Sequence, residues 1–113
     1  MIKIRLISKD ADEFSAFESA GHAGSAEYGK DIVCAAVTAL LKTAVLTLKA
    51  AESKGLLRVK INAERAGFLS AKIEESDKKN RERLRHLFEF LTIGLLSIEA
   101  EYPNCLNLEI VNE

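Results

Sequence analysis

The chain has 113 residues, of which 48% are hydrophobic and 29% are charged, a balance typical of one globular domain with its own core. Sixteen Lys and Arg against seventeen Asp and Glu give a formal net charge of -1, so overall charge predicts no nucleic-acid partner. Only two cysteines are present, which argues against a disulfide framework and a cysteine-rich metal site. We therefore predict a single domain over residues 1–113.

Targeting signals are missing from the sequence as it stands. It contains no run of about eighteen uncharged apolar residues, which a membrane span requires, and its start lacks the basic, apolar and small-residue order of a signal peptide. We therefore expect a cytoplasmic protein that does not cross a membrane.

The first elements in chain order are two strands. Residues 2–8, IKIRLIS, alternate apolar and charged side chains, as a strand with one buried face does. Residues 13–21, EFSAFESAG, follow the turn-like KDAD and are predicted as the hairpin partner. Residues 22–30, HAGSAEYGK, have no apolar periodicity and are predicted to form a loop.

A long helix is predicted from Asp31 to about Lys54, with Gly55 as its C-cap. Its polar positions form one narrow stripe, made of Thr38, Lys42, Lys49 and Ser53. Nearly all other positions are Ala, Val, Leu or Ile, so we expect this helix to be buried on most of its circumference. Its many alanines permit close packing against the sheet or a second subunit.

The second half of the chain repeats this order. Residues 57–63 and 69–73 alternate like a second hairpin, and a second helix is predicted to start near Ser76 or Asp77. One face of that helix is apolar and holds Leu84, Leu87, Phe88, Leu91, Leu95 and Ile98. Pro103 prevents its continuation, and the tail NCLNLEIVN alternates like a last strand.

The predicted order is therefore ββαββαβ. Strands that follow one another in hairpins and are interrupted by two long helices indicate an α+β domain. We expect an antiparallel sheet of about five strands with the two helices segregated from it.

The chemistry-bearing residues lie where the loop meets the first helix. If Asp31 caps the helix, Cys34 lies in its first turn, near N–H groups that have no intrahelical partner. The positive end of the helix dipole favours a thiolate, and the same amides could stabilise an oxyanion. His22 could serve as base and acid, since the pKa of histidine is about 6.5.

A simpler interpretation stays open at this point. Free cysteine is among the most buried residue types, so Cys34 alone is read more simply as a small core residue. His22 alone is read more simply as a turn residue, because its spacing from Cys34 permits a contact without establishing one.

The stretch GHAGSAEYGKDIVCAAVTALL, residues 21–41, closely resembles the signature of the ribosomal-processing cysteine proteases of Firmicutes and related bacteria. The resemblance includes His22, the loop glycines, the EYG run and the DIVCAAV helix start. It implies a cysteine endopeptidase that removes a short N-terminal extension from large-subunit ribosomal protein twenty-seven, cutting after paired phenylalanines. It also implies a homodimer, and we expect no cofactor and no metal.

The resemblance also implies residue roles. Cys34 would be the nucleophile and His22 the general base and acid. The substrate loop would include Gly21, Gly24, Glu27, Tyr28 and Gly29. The family typically carries serine where this chain has Thr38, and we expect the hydroxyl still to support Cys34, with a more restricted rotamer. Asp31 is interpreted as a helix cap, with orientation of His22 as the alternative.

The remaining candidates receive structural interpretations. His86 is predicted on a solvated helix face, and Cys105 is predicted to be structural. A basic cluster precedes and opens the second helix and is diluted by acidic neighbours; its members are Lys78, Lys79, Arg81, Arg83 and Arg85. The alternative function is therefore a non-catalytic, ribosome-associated module that binds a ribosomal protein or RNA.

Overall fold

The computed structural model describes residues 1–10, 12–21, 30–63 and 65–113, and of residues 30 and 31 it describes the backbone alone. Five strands and two long helices follow in the predicted order: β1 (Ile2–Lys9), β2 (Glu13–Ala20), α1 (Lys30–Ser53), β3 (Leu57–Asn62), β4 (Phe68–Ser76), α2 (Arg81–Glu101) and β5 (Leu106–Asn112). A short 3-10 turn, Lys78–Asn80, leads into α2. The predicted α+β class is confirmed.

The five strands form one sheet in the order β3-β4-β2-β1-β5. Three neighbouring pairs are antiparallel, but β1 and β5 run parallel, from Ile2 opposite Leu106 to Ser8 opposite Asn112. The prediction of a purely antiparallel sheet is therefore wrong. The reason is the crossover through α2, because this helix carries the chain back to the end of the sheet where β4 began.

Both helices contribute to a core on one face of the sheet. The buried cluster combines alternate residues of the strands with one stripe of each helix: Ile2, Ile4, Leu6, Phe14 and Phe17 from β1 and β2; Val33, Val37, Leu41, Ala44, Leu48 and Ala51 from α1; and Leu84, Phe88, Leu91 and Leu95 from α2. On the opposite face of the sheet, Arg5 lies 3.7 Å from both Glu18 and Glu109.

The beginning of α1 differs from the prediction. The helix starts at Lys30, so Asp31 is already helical, and the predicted loop ends one residue earlier. The interpretation of Asp31 as the N-cap is therefore wrong, because an N-cap residue lies outside the helical turn that it closes.

The end of α1 is a Schellman motif. Gly55 has a φ of +75°, and its N–H donates to the Glu52 carbonyl at 2.9 Å. The Leu56 N–H donates to the Ala51 carbonyl at 3.1 Å. Only glycine adopts this left-handed conformation without strain, so the prediction of Gly55 as C-cap is confirmed.

The start of α2 is also fixed by side chains. Asp77 caps the 3-10 turn by accepting a hydrogen bond from the Lys79 N–H at 3.0 Å. The buried Asn80 side chain donates to the Leu56 carbonyl at 2.7 Å, which joins this turn to the end of α1. Asp77 thus caps the 3-10 turn, whereas α2 itself begins at Arg81, four residues later than predicted from Asp77, and Ser76 is the last residue of β4.

The expected burial of α1 on most of its circumference is wrong within this chain. From Ile32 to Ser53 the helix is long and apolar enough to cross a membrane by length and composition alone, yet 28% of that apolar stretch is buried here. Ile32 and Leu46 are 57% and 66% exposed. One stripe of α1 packs in the core, and the opposite stripe faces outward.

Two glycines with positive φ provide a matched test of the backbone. Gly55 has open space around its missing Cβ. Gly55→Ala should therefore lower the free energy of unfolding only by the cost of the left-handed conformation, about 1–2 kcal/mol. At Gly21, which has a φ of +94°, a Cβ would overlap the Met1 carbonyl oxygen. We expect Gly21→Ala to lower the free energy of unfolding, measured in urea, by about 1–3 kcal/mol more than Gly55→Ala does. Equal losses for the two variants would contradict this packing of Gly21 against Met1.

Candidate active site

Cys34 is the fifth residue of α1. It is half-buried and follows Val33, which is 1% exposed and belongs to the core. Because the helix begins at Lys30, the Cys34 N–H lies beyond the first turn and is within the hydrogen-bonded ladder. Within the described part of the helix, the unpaired amides belong to residues 30–32. The prediction that Cys34 lies in the first turn is therefore wrong, and its own N–H does not belong to that set of free donors.

The side of α1 that carries Cys34 borders a cavity of about 350 Å³. Cys34, Thr38 and Lys42 follow one another at four-residue spacing along this wall, as one face of a helix requires. Val37 and Leu41 of α1 also line the cavity, and the other lining residues come from the ends of strands and from the β3–β4 turn: Ile2, Ser19, Gly21, Ala63, Gly67, Phe68 and Leu69. The thiol therefore faces a mostly apolar cavity with few polar groups, which is typical of a ligand site.

Gly21 fixes one corner of this cavity. Its N–H donates to the Gly67 carbonyl at 2.9 Å, so the end of β2 is tied to the turn before β4. Gly21 is the first residue of the predicted substrate loop, and it lines the same cavity as Cys34. His22, Gly24, Glu27, Tyr28 and Gly29, together with the side chain of Asp31, lie outside the described residues.

Thr38 lies one turn after Cys34 and lines the same cavity. Thr43 and Thr47 donate their hydroxyls to carbonyls four residues earlier, at 2.7 and 2.8 Å. Within the described ranges, no hydrogen bond joins the Thr38 hydroxyl to Cys34. Support of Cys34 by the Thr38 hydroxyl therefore stays a prediction, and both side chains border the same cavity.

Sequence reasoning missed the far wall of the cavity. Phe68 and Leu69 begin β4, and Lys42 was assigned only to a polar stripe of the helix. Phe68 and Leu69 are far from Cys34 along the chain, and their place at the cavity depends on how β4 is placed under α1. Lys42 instead lies two helical turns after Cys34 on the same face of α1, a spacing that the sequence does contain.

The other reactive side chains lie elsewhere. Cys105 is 8% exposed and belongs to the core, and its carbonyl accepts a hydrogen bond from the Ile2 N–H at 3.0 Å. The His86 side chain is 76% exposed and lies 3.9 Å from Glu82, in agreement with the predicted solvated face.

Ion pairs also involve two members of the basic cluster that was predicted from the sequence. Arg81 lies 3.6 Å from the buried Glu13 carboxylate, and Arg85 lies 2.8 Å from Glu82. Part of the positive charge at the start of α2 is therefore offset by acidic neighbours.

Comparison with known proteins shows to which class of protein the chain with this helix-borne thiol and apolar cavity belongs. Residues 1–107 match the family model described as cysteine protease Prp. The chain is 35% identical over 94 residues to the ribosomal processing cysteine protease Prp of Bacillus subtilis strain 168, covering 81% of each chain. The chain therefore belongs to the Prp family of cysteine proteases.

Solved structures share the whole fold. The crystal structure of SMU.848 from Streptococcus mutans superimposes with a TM-score of 0.80 at 29% identity, covering 100% of this chain and 96% of that one. Prp from Staphylococcus aureus, in complex with a covalently linked product peptide, gives a TM-score of 0.73 at 27% identity, covering 97% and 99% of the two chains. The same S. aureus protease with a substrate peptide gives 0.75 at 26% identity, with the same coverage.

Thiol accessibility gives the first test of the site. Iodoacetamide should alkylate Cys34, which lines the cavity, at least about tenfold faster than the core residue Cys105 in the folded protein. Peptide mapping by mass spectrometry would follow both rates. Unfolding in urea supplies the control, because both thiols are then exposed and the rates should converge. Equal rates in the folded protein would contradict the assignment of Cys34 to an open cavity.

Proposed function

We propose that this chain is a cysteine endopeptidase that removes the N-terminal extension of a large-subunit ribosomal protein. The observation that carries the proposal is the Cys34 thiol on the wall of an apolar cavity of about 350 Å³. Support comes from the B. subtilis relative, named as a ribosomal processing protease, and from the S. aureus relative, whose structures hold substrate and product peptides.

The proposed mechanism uses Cys34 and His22. The His22 imidazole takes the proton from the Cys34 sulfur, and the thiolate attacks the carbonyl carbon of the scissile peptide bond. The imidazolium returns the proton to the leaving amine, and a thioester remains on Cys34. Water, deprotonated by His22, then releases the acid and restores the thiol. Gly21 supports this pairing, because the residue directly before His22 lines the same cavity as Cys34.

The cavity also fits the substrate that the family resemblance implies. Paired phenylalanines at the cut would bring aromatic rings to a wall that contains Phe68, Leu69 and Leu41. Aromatic pairs add about 0.5–1.5 kcal/mol beyond the burial of their area. We therefore infer cleavage after the paired phenylalanines of ribosomal protein twenty-seven. We also propose that Glu27 and Tyr28 belong to a loop that closes over the peptide. The Thr38 hydroxyl would support the thiol once substrate is bound.

Cleavage of an extension peptide tests the nucleophile. Cys34→Ala should abolish cutting of a peptide that carries the paired phenylalanines, whereas Cys105→Ala should keep the chemistry because this residue lies away from the cavity. Mass spectrometry of the products measures both, and circular dichroism confirms that both variants are folded. Cutting by Cys34→Ala at the wild-type rate would contradict the assignment. An intact peptide that binds the wild-type protein would favour the non-catalytic module.

We also propose that the chain forms a homodimer through an outer helical face, defined by five exposed apolar residues: Ile32 and Leu46 of α1, and Phe90, Ile93 and Leu96 of α2. A Cβ at Gly94 would lie 3.2 Å from the Leu40 side chain, so the helices approach closely enough to present one continuous surface. The hydroxyls of Thr43 and Thr47 are bound to their own helix, which leaves their methyl groups toward solvent.

A second copy of the chain suits this face. The two adjacent helices have 24 and 21 residues and are therefore about 36 and about 32 Å long and together about 20 Å across. They offer roughly 700 Å², close to the ~800 Å² per partner of a standard interface. Lys42, the charged residue in the middle of α1, lies on the cavity side. A mostly apolar, elongated patch can meet its own copy across a twofold axis.

The dimer is tested by one substituted leucine. Leu46→Glu places a charge on the outer helical face and should convert the dimer to monomer in sedimentation velocity, because a buried unpaired carboxylate is costly. Asn107→Glu, at an exposed position of β5, is the matched control and should remain dimeric. A Leu46→Glu protein that sediments like the wild type would contradict the proposed interface.

A further inference from the structure

We infer that the open edge of β3 binds the backbone of the substrate as an added strand, in a groove that runs from Cys34 along α1. This inference rests on the proposed peptidase function and specifies how its peptide is held. The occupant is an extended peptide, recognised through its backbone N–H and C=O groups in the manner of strand addition.

The direction of the β3 backbone is fixed by one hydrogen bond. The Val59 N–H donates to the Glu52 carboxylate at 2.8 Å, so it points away from β4 and toward the open edge. Residues 59–62 pair with β4 without a register shift. Since alternate residues of an antiparallel ladder point the same way, the N–H and C=O of Ile61 also face the open edge.

This edge leads directly into the catalytic cavity. Ala63, one residue after β3, lines the cavity together with Cys34. On the α1 wall, Cys34 and Lys42 are about 12 Å apart along the helix axis, the length of three to four residues of an extended peptide at about 3.3 Å each. A peptide that pairs with Ile61 and passes Ala63 would therefore enter the cavity that Cys34 lines.

Glu52 ends the groove at its far side. Its carboxylate accepts the hydrogen bond of the Val59 N–H, so an added strand can pair with β3 only between Val59 and the cavity. The other edge of the sheet has a similar arrangement, because the Leu108 N–H of β5 donates to Glu99 at 2.6 Å. Exposed strand edges attract unwanted pairing, and both are partly covered. The open part of β3 is the one that borders the reactive thiol.

A pair of proline variants tests the inference. Ile61→Pro removes an outward N–H and places a ring where the peptide would lie, while the ladder with β4 stays intact because proline is tolerated on an edge strand. Ile110→Pro is the matched control, since Ile110 has the same outward direction as Leu108 on the opposite edge. We expect Ile61→Pro to lower kcat/KM for the extension peptide about tenfold or more, and Ile110→Pro to change it less than about twofold.

Two further measurements keep the outcome decisive. Alkylation of Cys34 should keep its wild-type rate in Ile61→Pro, which shows that the thiol and its helix are intact. If that variant does not fold, wild-type enzyme is given peptides in which single backbone N–H groups are replaced by ester oxygens. A lower kcat/KM for ester replacements at every second position of the peptide supports strand addition.

The contradicting results are distinct. Two results would overturn the inference while leaving the peptidase function in place. One is an equal kcat/KM for the two proline variants. The other is a fall in kcat/KM on ester replacement that does not alternate along the peptide. A wild-type protein that cuts no peptide would overturn the proposed function and this inference with it.

Discussion

The packing of α1 against the sheet fixes the rotation of this helix, and the rotation decides what each of its faces does. Val33, Leu41 and Leu48 are at most 2% exposed, so the stripe that they form cannot turn without opening the core. With 3.6 residues per turn, the positions beside this stripe place Cys34 at the cavity. The positions opposite it place Leu46 outward. One helix thus contributes to the core, to the cavity that Cys34 lines and to the proposed interface.

The crossover topology determines what lies opposite the thiol. Because α1 joins β2 to β3 and passes over β4, the first residues of β4 become the far wall of the cavity. The Schellman motif then stops the helix where Glu52 can reach the Val59 N–H at 2.8 Å. The helix end therefore helps to define the length of the open β3 edge, in addition to terminating α1.

Local features of the fold could be predicted from the sequence, whereas long-range ones could not. Alternation in residues 2–8 and the glycine at position 55 each specify a conformation within a few residues, and both predictions hold. The parallel pairing of β1 with β5 joins residues about a hundred positions apart, and no local pattern carries it. The outward face of α1 was misjudged because the apolar composition of a helix does not show which of its residues pack in the core of the same chain.

The site was predictable to a similar extent. The signature around Cys34 predicts this thiol as the nucleophile, because helix start, glycines and histidine occur together in one short stretch, and the structure places Cys34 beside a cavity. Phe68 was missed because its place at the cavity follows from the strand order, whereas Lys42 was assigned only to the polar stripe although it follows Cys34 at helical spacing. Asp31 was misassigned as a cap because the helix begins one residue earlier than composition suggests, and helix ends are poorly defined by propensity alone.

Trapping the acyl-enzyme would test the nucleophilic role of Cys34 most directly. The wild-type protein is mixed with the extension peptide, quenched in acid within the first turnover, digested and mapped by mass spectrometry. Our account predicts a thioester on the fragment that contains Cys34, with the added mass of the peptide up to its second phenylalanine. Cleavage without an adduct on Cys34 in a time course that resolves the first turnover, or an adduct on Cys105, would contradict it.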